Sequence, residues 1–151
     1  MVDPAVLMGH APAKVDEKGR LKIPAGFRKI IEEKYGADCF ITSTDGERAV
    51  IYPMPVWERF AQKFLEPPRM DPAKQKYQEI TSYYGLVTEM DPQGRVLIPH
   101  PLREDAELAG EVMVFGRQDH LVVWNNERIR KRLKESPLTN EDRERLAQLG
   151  F

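Results

Sequence analysis

The chain has 151 residues, 41% of them hydrophobic and 31% charged, with a net charge of −1 and a pI near 6.3. That is an ordinary globular composition with room for one domain or two closely packed halves. No run approaches membrane-span length, the opening MVDPAVLMGHAPAK lacks the basic and apolar regions of a signal peptide, and the one cysteine, Cys39, excludes a disulfide framework, so a cytoplasmic protein is expected.

Residues 1–9 read as an arm, mobile or pairing with a sheet edge. The stretch KVDEKGRLKIP at 14–24 then reads as a short hairpin. An Asp three residues ahead of a Gly marks a tight turn: the Asp side chain accepts from nearby backbone N–H groups, and the Gly takes the left-handed conformation. Apolar alternation on both flanks (Val15; Leu21 and Ile23) fits a three-residue loop with a glycine bulge. Pro24 suits the first position of a helix over 24–33, with Phe27, Ile30 and Ile31 as its apolar stripe and Gly36 as its stop. Strands over 39–43 and 48–52 follow, joined across Asp45–Gly46. A second helix is predicted from Pro55, with Val56, Trp57, Phe60, Ala61, Phe64 and Leu65 as its apolar face. After a proline-rich break at 66–72, Asp71 and Pro72 supply the N-cap and first turn of a helix carrying Tyr77, Ile80 and Tyr84 on one side.

The second half repeats this order more tightly. EMDPQGRVLIP at 89–99 is another hairpin, Pro99 starts another helix, and strands follow near 111–115 and 120–124 with Asp119 in the turn between them. A basic helical stretch covers 128–134. A short last helix is capped by Thr139 or Asn140 and stopped by Gly150.

The two halves are copies of one unit. Asp16, Gly19, Arg20, Ile23 and Pro24 recur seventy-five positions later as Asp91, Gly94, Arg95, Ile98 and Pro99, and Arg28 and Arg103 continue the register. The unit is β-β-α-β-β with a trailing helix. One copy has too few strands to cover its own apolar face, so the copies are expected to interleave into one barrel-like sheet, an α+β protein that is mainly β. Charge separates the copies. Residues 14–31 hold six basic side chains against two acidic, a local +4, whereas 89–106 hold two basic against four acidic, a local −2. A polyanion touching the repeated hairpin would draw most of its affinity from the first copy.

Paired D-x-x-G-R hairpins at this spacing resemble the MraZ family of bacterial transcriptional regulators, whose units are similar to those of AbrB-type swapped-hairpin DNA-binding proteins. The matching stretches are KVDEKGRLKIPAGFR at 14–28, IYPMPVWE at 51–58, MDPQGRVLIPHPLR at 90–103 and GRQDHLVVWN at 116–125, so the resemblance covers roughly 8–133. It implies a pseudo-two-fold double-split barrel: a first SpoVT-AbrB-like unit at 8–65, a linker and helix at 66–82, a second unit at 83–127 and a C-terminal helical tail at 128–151. It also implies a cytoplasmic, nucleoid-associated repressor that assembles into a homo-oligomeric ring larger than a dimer. Its ligand would be double-stranded promoter DNA carrying tandem direct repeats upstream of the division and cell-wall gene cluster, its own gene included. Arg20 stands at the position of the family's first DNA-binding arginine and Arg95 at its second-copy counterpart. Lys14, Lys18 and Lys22 join them as candidate DNA contacts, and Asp16, Gly19, Asp91 and Gly94 as turn formers. No cofactor, metal or membrane is implied.

Each candidate has a blander reading. Lys14, Lys18, Arg20 and Lys22 could decorate a solvated sheet edge, where lysines discourage strand addition. Arg28 and Arg103 fit helix braces better than DNA contacts, and the cations at 128–134 fit a solvated helix face. His10, His100 and His120 share no ligand spacing with one another or with Cys39. Asp16 and Asp91, one per copy, suggest a protease dyad, but Asp16 sits among Lys18 and Arg20, which keep a carboxylate ionised. A ring-forming scaffold without DNA specificity is the remaining alternative.

Overall fold

The computed structural model describes residues 6–151. Among them the first copy supplies β1 His10–Val15, β2 Arg20–Lys22, α1 Ala25–Lys34, β3 Asp38–Thr42, β4 Ala49–Pro53 and α2 Met54–Gln62. A connecting helix, α3 Pro72–Tyr83, leads to the second: β5 Leu86–Glu89, β6 Arg95–Leu97, α4 His100–Asp105, β7 Gly110–Gly116, β8 Leu121–Asn125 and α5 Asn126–Glu135. A last helix, α6 Asn140–Gln148, follows. None of the described helices is long and apolar enough to cross a membrane.

The strand order β5-β3-β4-β8-β7-β1-β2-β6 shows how the copies interleave. The first strand of each copy leaves its own unit: β1 pairs along its whole length with β7, and β5 pairs with β3, both antiparallel. The outermost strands, β5 and β6, are consecutive arms of one hairpin, tied at its base by Asp91 N–H donating to the Arg95 carbonyl at 3.0 Å. The sheet is therefore a nearly closed barrel, mainly β, built from two repeated units.

Alternation fills its interior. Val15, Leu21 and Ile23 from the first copy meet Met90, Val96 and Ile98 from the second, all at most 4% exposed. Burial of each such side chain is worth about 1.5–3 kcal/mol. Cys39 belongs to this core; burial pushes its thiol pKa up to about 11, which leaves it unreactive.

Several local expectations shift. Pro24 and Pro99 are N-caps, not first helical residues, and the second helix is capped by Pro53 with Pro55 inside its first turn: all three caps have φ between −52° and −57° and extended ψ near 140°. The fixed ring suits either position, since proline has no N–H to place. The second helix accordingly starts at Met54 and ends at Gln62, so Phe64 and Leu65 lie beyond it. Phe64 still packs on Trp57 and Tyr77, whereas Leu65 is 65% exposed. On α3 the fully buried residue is Thr81, with Tyr77, Ile80 and Tyr84 only half-buried. Its hydroxyl donates to Tyr77 O, and Thr42 donates to Thr81 O, each at 2.7 Å, so a polar pair pins α3 to β3. In the arm, Leu7 is fully buried and exchanges backbone bonds with Gln118, while residues 1–5 lie outside the described chain.

Candidate nucleic-acid interface

The two motif turns are near-identical in their bonding. Asp16 Oδ1 accepts from the N–H groups of Lys18 and Arg20 at 3.0 and 2.9 Å, and Asp91 Oδ1 accepts from those of Gln93 and Arg95, both at 2.9 Å. Gly19 N–H closes back on Asp16 O and Gly94 N–H on Asp91 O, with both glycines at positive φ, +85° and +78°. These are three-residue loops with a glycine bulge. In each, the second carboxylate oxygen takes the following arginine's Nε, at 3.0 Å for Arg20 and 2.9 Å for Arg95. The arginine backbone N–H is the leading cause that holds each carboxyl below its ordinary 3.8, ahead of the guanidinium itself. Both aspartates are ionised and singly paired, the opposite of a dyad sharing a proton.

That pairing aims the arginines. With Nε held, the terminal amino groups of Arg20 have no hydrogen-bond partner among the described residues. This fork suits a bidentate acceptor, either a guanine edge or a phosphate.

Each turn is also braced by the opposite copy. Ile23 N–H donates to Gly94 O and Ile98 N–H to Gly19 O, both at 2.9 Å. Arg28 donates to Pro92 O at 2.7 Å while pairing with Glu32, and Arg103 packs its guanidinium over Gly19 while donating to Ile98 O at 2.9 Å. The two arginines brace the other copy's turn as well as their own helix. The recurrence of Arg at the same offset was the visible signal; nothing local pointed to a partner one repeat away.

Lys18 sits within the first turn, and Lys14 and Lys22 flank it on the strands. Lys14, Lys18 and Lys22 are exposed and make no side-chain hydrogen bond or ion pair among the described residues. Lys22 stands directly opposite Arg95 across β2 and β6, and the Val15–Leu21 register brings Lys14 alongside Lys22 on the outer face. Like charges on adjacent strands cost stability. The sheet-edge reading fails on topology for Lys14, Arg20 and Lys22, because β1 lies between β7 and β2, and β2 between β1 and β6. The second copy contributes less charge to this face: Glu89, Pro92, Gln93 and Leu97 occupy the places of Lys14, Glu17, Lys18 and Lys22.

Among the described residues, three of the five cations of α5 are engaged elsewhere, Arg130 and Lys134 being the exceptions. Arg128 donates to Asp105 O at 2.9 Å and pairs with Glu107 at 3.2 Å, Arg132 lies over the Trp124 ring at 5.5 Å, and Lys131 pairs with Glu135. No group of three or more His, Cys, Asp or Glu is placed to hold a metal among the described residues.

Comparison with known proteins matches the sequence to a family. The model for the MraZ protein family, whose description adds a likeness to antitoxins, matches residues 6–80 and 87–149. The chain belongs to the MraZ family. The match runs through the helical tail, past the residue-133 limit of the motif resemblance. The protein named transcriptional regulator MraZ of Acidobacterium capsulatum is 49% identical over 143 residues, covering 95% of this chain and 98% of the relative. That of Koribacter versatilis is 46% identical over 144 residues with the same coverage, and that of Coxiella burnetii (strain Dugway 5J108-111) is 37% identical over 117 residues, 77% of each chain. Within MraZ, then, the paired turns sit in a chain alignable almost from end to end.

Proposed function

We propose that the protein is a sequence-specific DNA-binding transcriptional regulator, a repressor that binds tandem direct repeats in the promoter of the division and cell-wall gene cluster containing its own gene. The observation that carries this reading is the outward strip Lys14–Lys22–Arg95 beside Arg20, in which the two lysines have no counter-charge among the described residues and each arginine pairs only through Nε with its own turn's aspartate. A polyanion supplies the missing counter-charge. The curated relatives named transcriptional regulator support the same reading.

The DNA-binding set comprises Lys14, Lys18, Arg20, Lys22 and, more weakly, Arg95; Asp16, Gly19, Asp91 and Gly94 hold the turns. The protein acts in the cytoplasm at the nucleoid, without a catalytic role. One basic face per chain binds weakly alone, so function calls for a ring of copies larger than a dimer that engages several repeats at once. Such linkage raises avidity by roughly 10²–10⁴ without new contacts. Light scattering gives the assembly size, and fluorescence anisotropy on duplexes with one, two or three copies of the upstream repeat gives the dependence on repeat number. Tight binding only from two repeats upward is expected. A monomer that holds one repeat as tightly as three, or no preference over scrambled DNA, would favour a scaffold instead.

A further inference from the structure

On the outer face of β2 and β6 the register pairs Lys22 with Arg95 and Arg20 with Leu97. Three of the four positions are cationic; the fourth is a leucine 40% exposed. The internal repeat makes this an asymmetry, since Leu97 occupies the second-copy place of Lys22. A lone exposed leucine on a surface needs no explanation. One directly opposite Arg20, inside a face otherwise suited to phosphate, does.

We infer that Leu97 reads the 5-methyl group of a thymine in the major groove, on a base pair next to the one contacted by Arg20. The inference rests on the DNA-binding reading above. An antiparallel two-stranded ribbon is one of the shapes the major groove admits, and the thymine methyl is the apolar group that base edges present there. Leucine offers a phosphate nothing and would strip water from it without replacing a hydrogen bond. Directly opposed residues on neighbouring strands have Cβ atoms about 4.5–5.5 Å apart, comparable with the roughly 3.4 Å step between bases along a strand, so Arg20 and Leu97 address adjacent pairs. The site they form together prefers a G·C pair beside an A·T pair. Lys22 and Arg95, the other cross-strand pair, grip backbone instead. The duplication thus yields one reading corner and one gripping corner from the same two strands.

The test uses the whole protein and the DNA immediately upstream of its own gene, trimmed to the protected segment. Each thymine is replaced singly by deoxyuridine, which removes only the methyl, and binding is followed by anisotropy. For the unmodified protein, one position per contacted repeat is expected to lose about fourfold in affinity, the worth of one buried methyl-sized group. Leu97→Ala should bind thymine and deoxyuridine equally at that position, with an unchanged salt slope and an unchanged thermal midpoint. Leu97→Lys should lose the thymine preference and steepen the slope of log K against log salt by about 0.9 through a new phosphate contact. A methyl penalty that survives Leu97→Ala, or no penalty at any thymine in a complex that still forms, overturns the inference and leaves the DNA-binding reading standing. Failure of the unmodified protein to prefer the upstream DNA over a scrambled duplex overturns both.

Discussion

Gly19 and Gly110 separate two costs that usually come together. Both have positive φ, +85° and +65°, so a Cβ at either is strained. At Gly110 the new methyl would meet nothing within 4 Å, whereas at Gly19 it would run into the guanidinium of Arg103. Gly110→Ala should therefore cost only the left-handed backbone term, about 1–2 kcal/mol. Gly19→Ala should add the loss of the bond from Arg103 to Ile98 O, a charged hydrogen bond worth about 1.5–3 kcal/mol, for a total of about 2.5–5 kcal/mol. In a chain of this size 1 kcal/mol moves the thermal midpoint by about 2–4 °C. Circular dichroism melts at one fixed protein concentration should then show a drop of about 2–8 °C for Gly110→Ala and about 5–20 °C for Gly19→Ala. Because the extra loss acts through Arg103, combining Gly19→Ala with Arg103→Ala should cost less than the sum of the two. If Gly19→Ala is no worse than Gly110→Ala, or the double variant is fully additive, the bracing argument is wrong.

Arg20→Ala should abolish specific binding to the upstream DNA while Arg95→Ala only weakens it, because the first hairpin carries the surplus charge; equal losses in anisotropy would refute the asymmetry. One chain on one repeat should show a salt slope near −3, taking about three phosphate contacts at roughly −0.9 each. Lys18→Ala or Lys22→Ala should each flatten that slope by about one, and an unchanged slope would remove that lysine from the interface. Asp16 and Asp91 titrate below their ordinary 3.8 in the folded protein, so their stabilisation is whole above pH 3.8 and is lost as pH falls through the lowered values. Melts recorded from pH 7 down to 2.5 should fall less steeply below 3.8 for Asp16→Asn plus Asp91→Asn than for the unmodified chain; parallel curves would refute the linkage.

Much of the architecture was readable from residue pattern because the decisive signals are local. Asp16 and Gly19 define a turn within four residues, and period-two alternation around them assigns Val15, Leu21 and Ile23 to the interior. The repeat then argued for interleaving, since one copy cannot cover its own apolar face. What stayed hidden was long-range. The bonds from Ile23 to Gly94 and from Ile98 to Gly19 involve backbone groups, which every residue carries and no side chain announces. Arg28 and Arg103 were legible as braces, but the turns they brace lie on the other copy. Thr81 was missed because its buried hydroxyl is satisfied by a helix carbonyl, a solution that an apolar stripe does not display. At the interface, counting charge singled out Lys14, Lys18, Arg20 and Lys22, yet counting charge passes over Leu97, which matters only through the residue opposite it.

The tether between the outermost strands has a consequence for how the molecule meets others. An open strand edge is a template for main-chain pairing, through which sheets recruit peptides or grow into fibrils. Here β5 and β6 are arms of one hairpin joined at its turn by the bond from Asp91 N–H to Arg95 O, so the barrel uses its own main chain to close the seam at that end. At that closed end another copy, or a duplex, must recognise the shape and charge of outward side chains. Inward residues then encode the shape of the protein and outward ones its company, and alternation along each strand keeps the two sets apart.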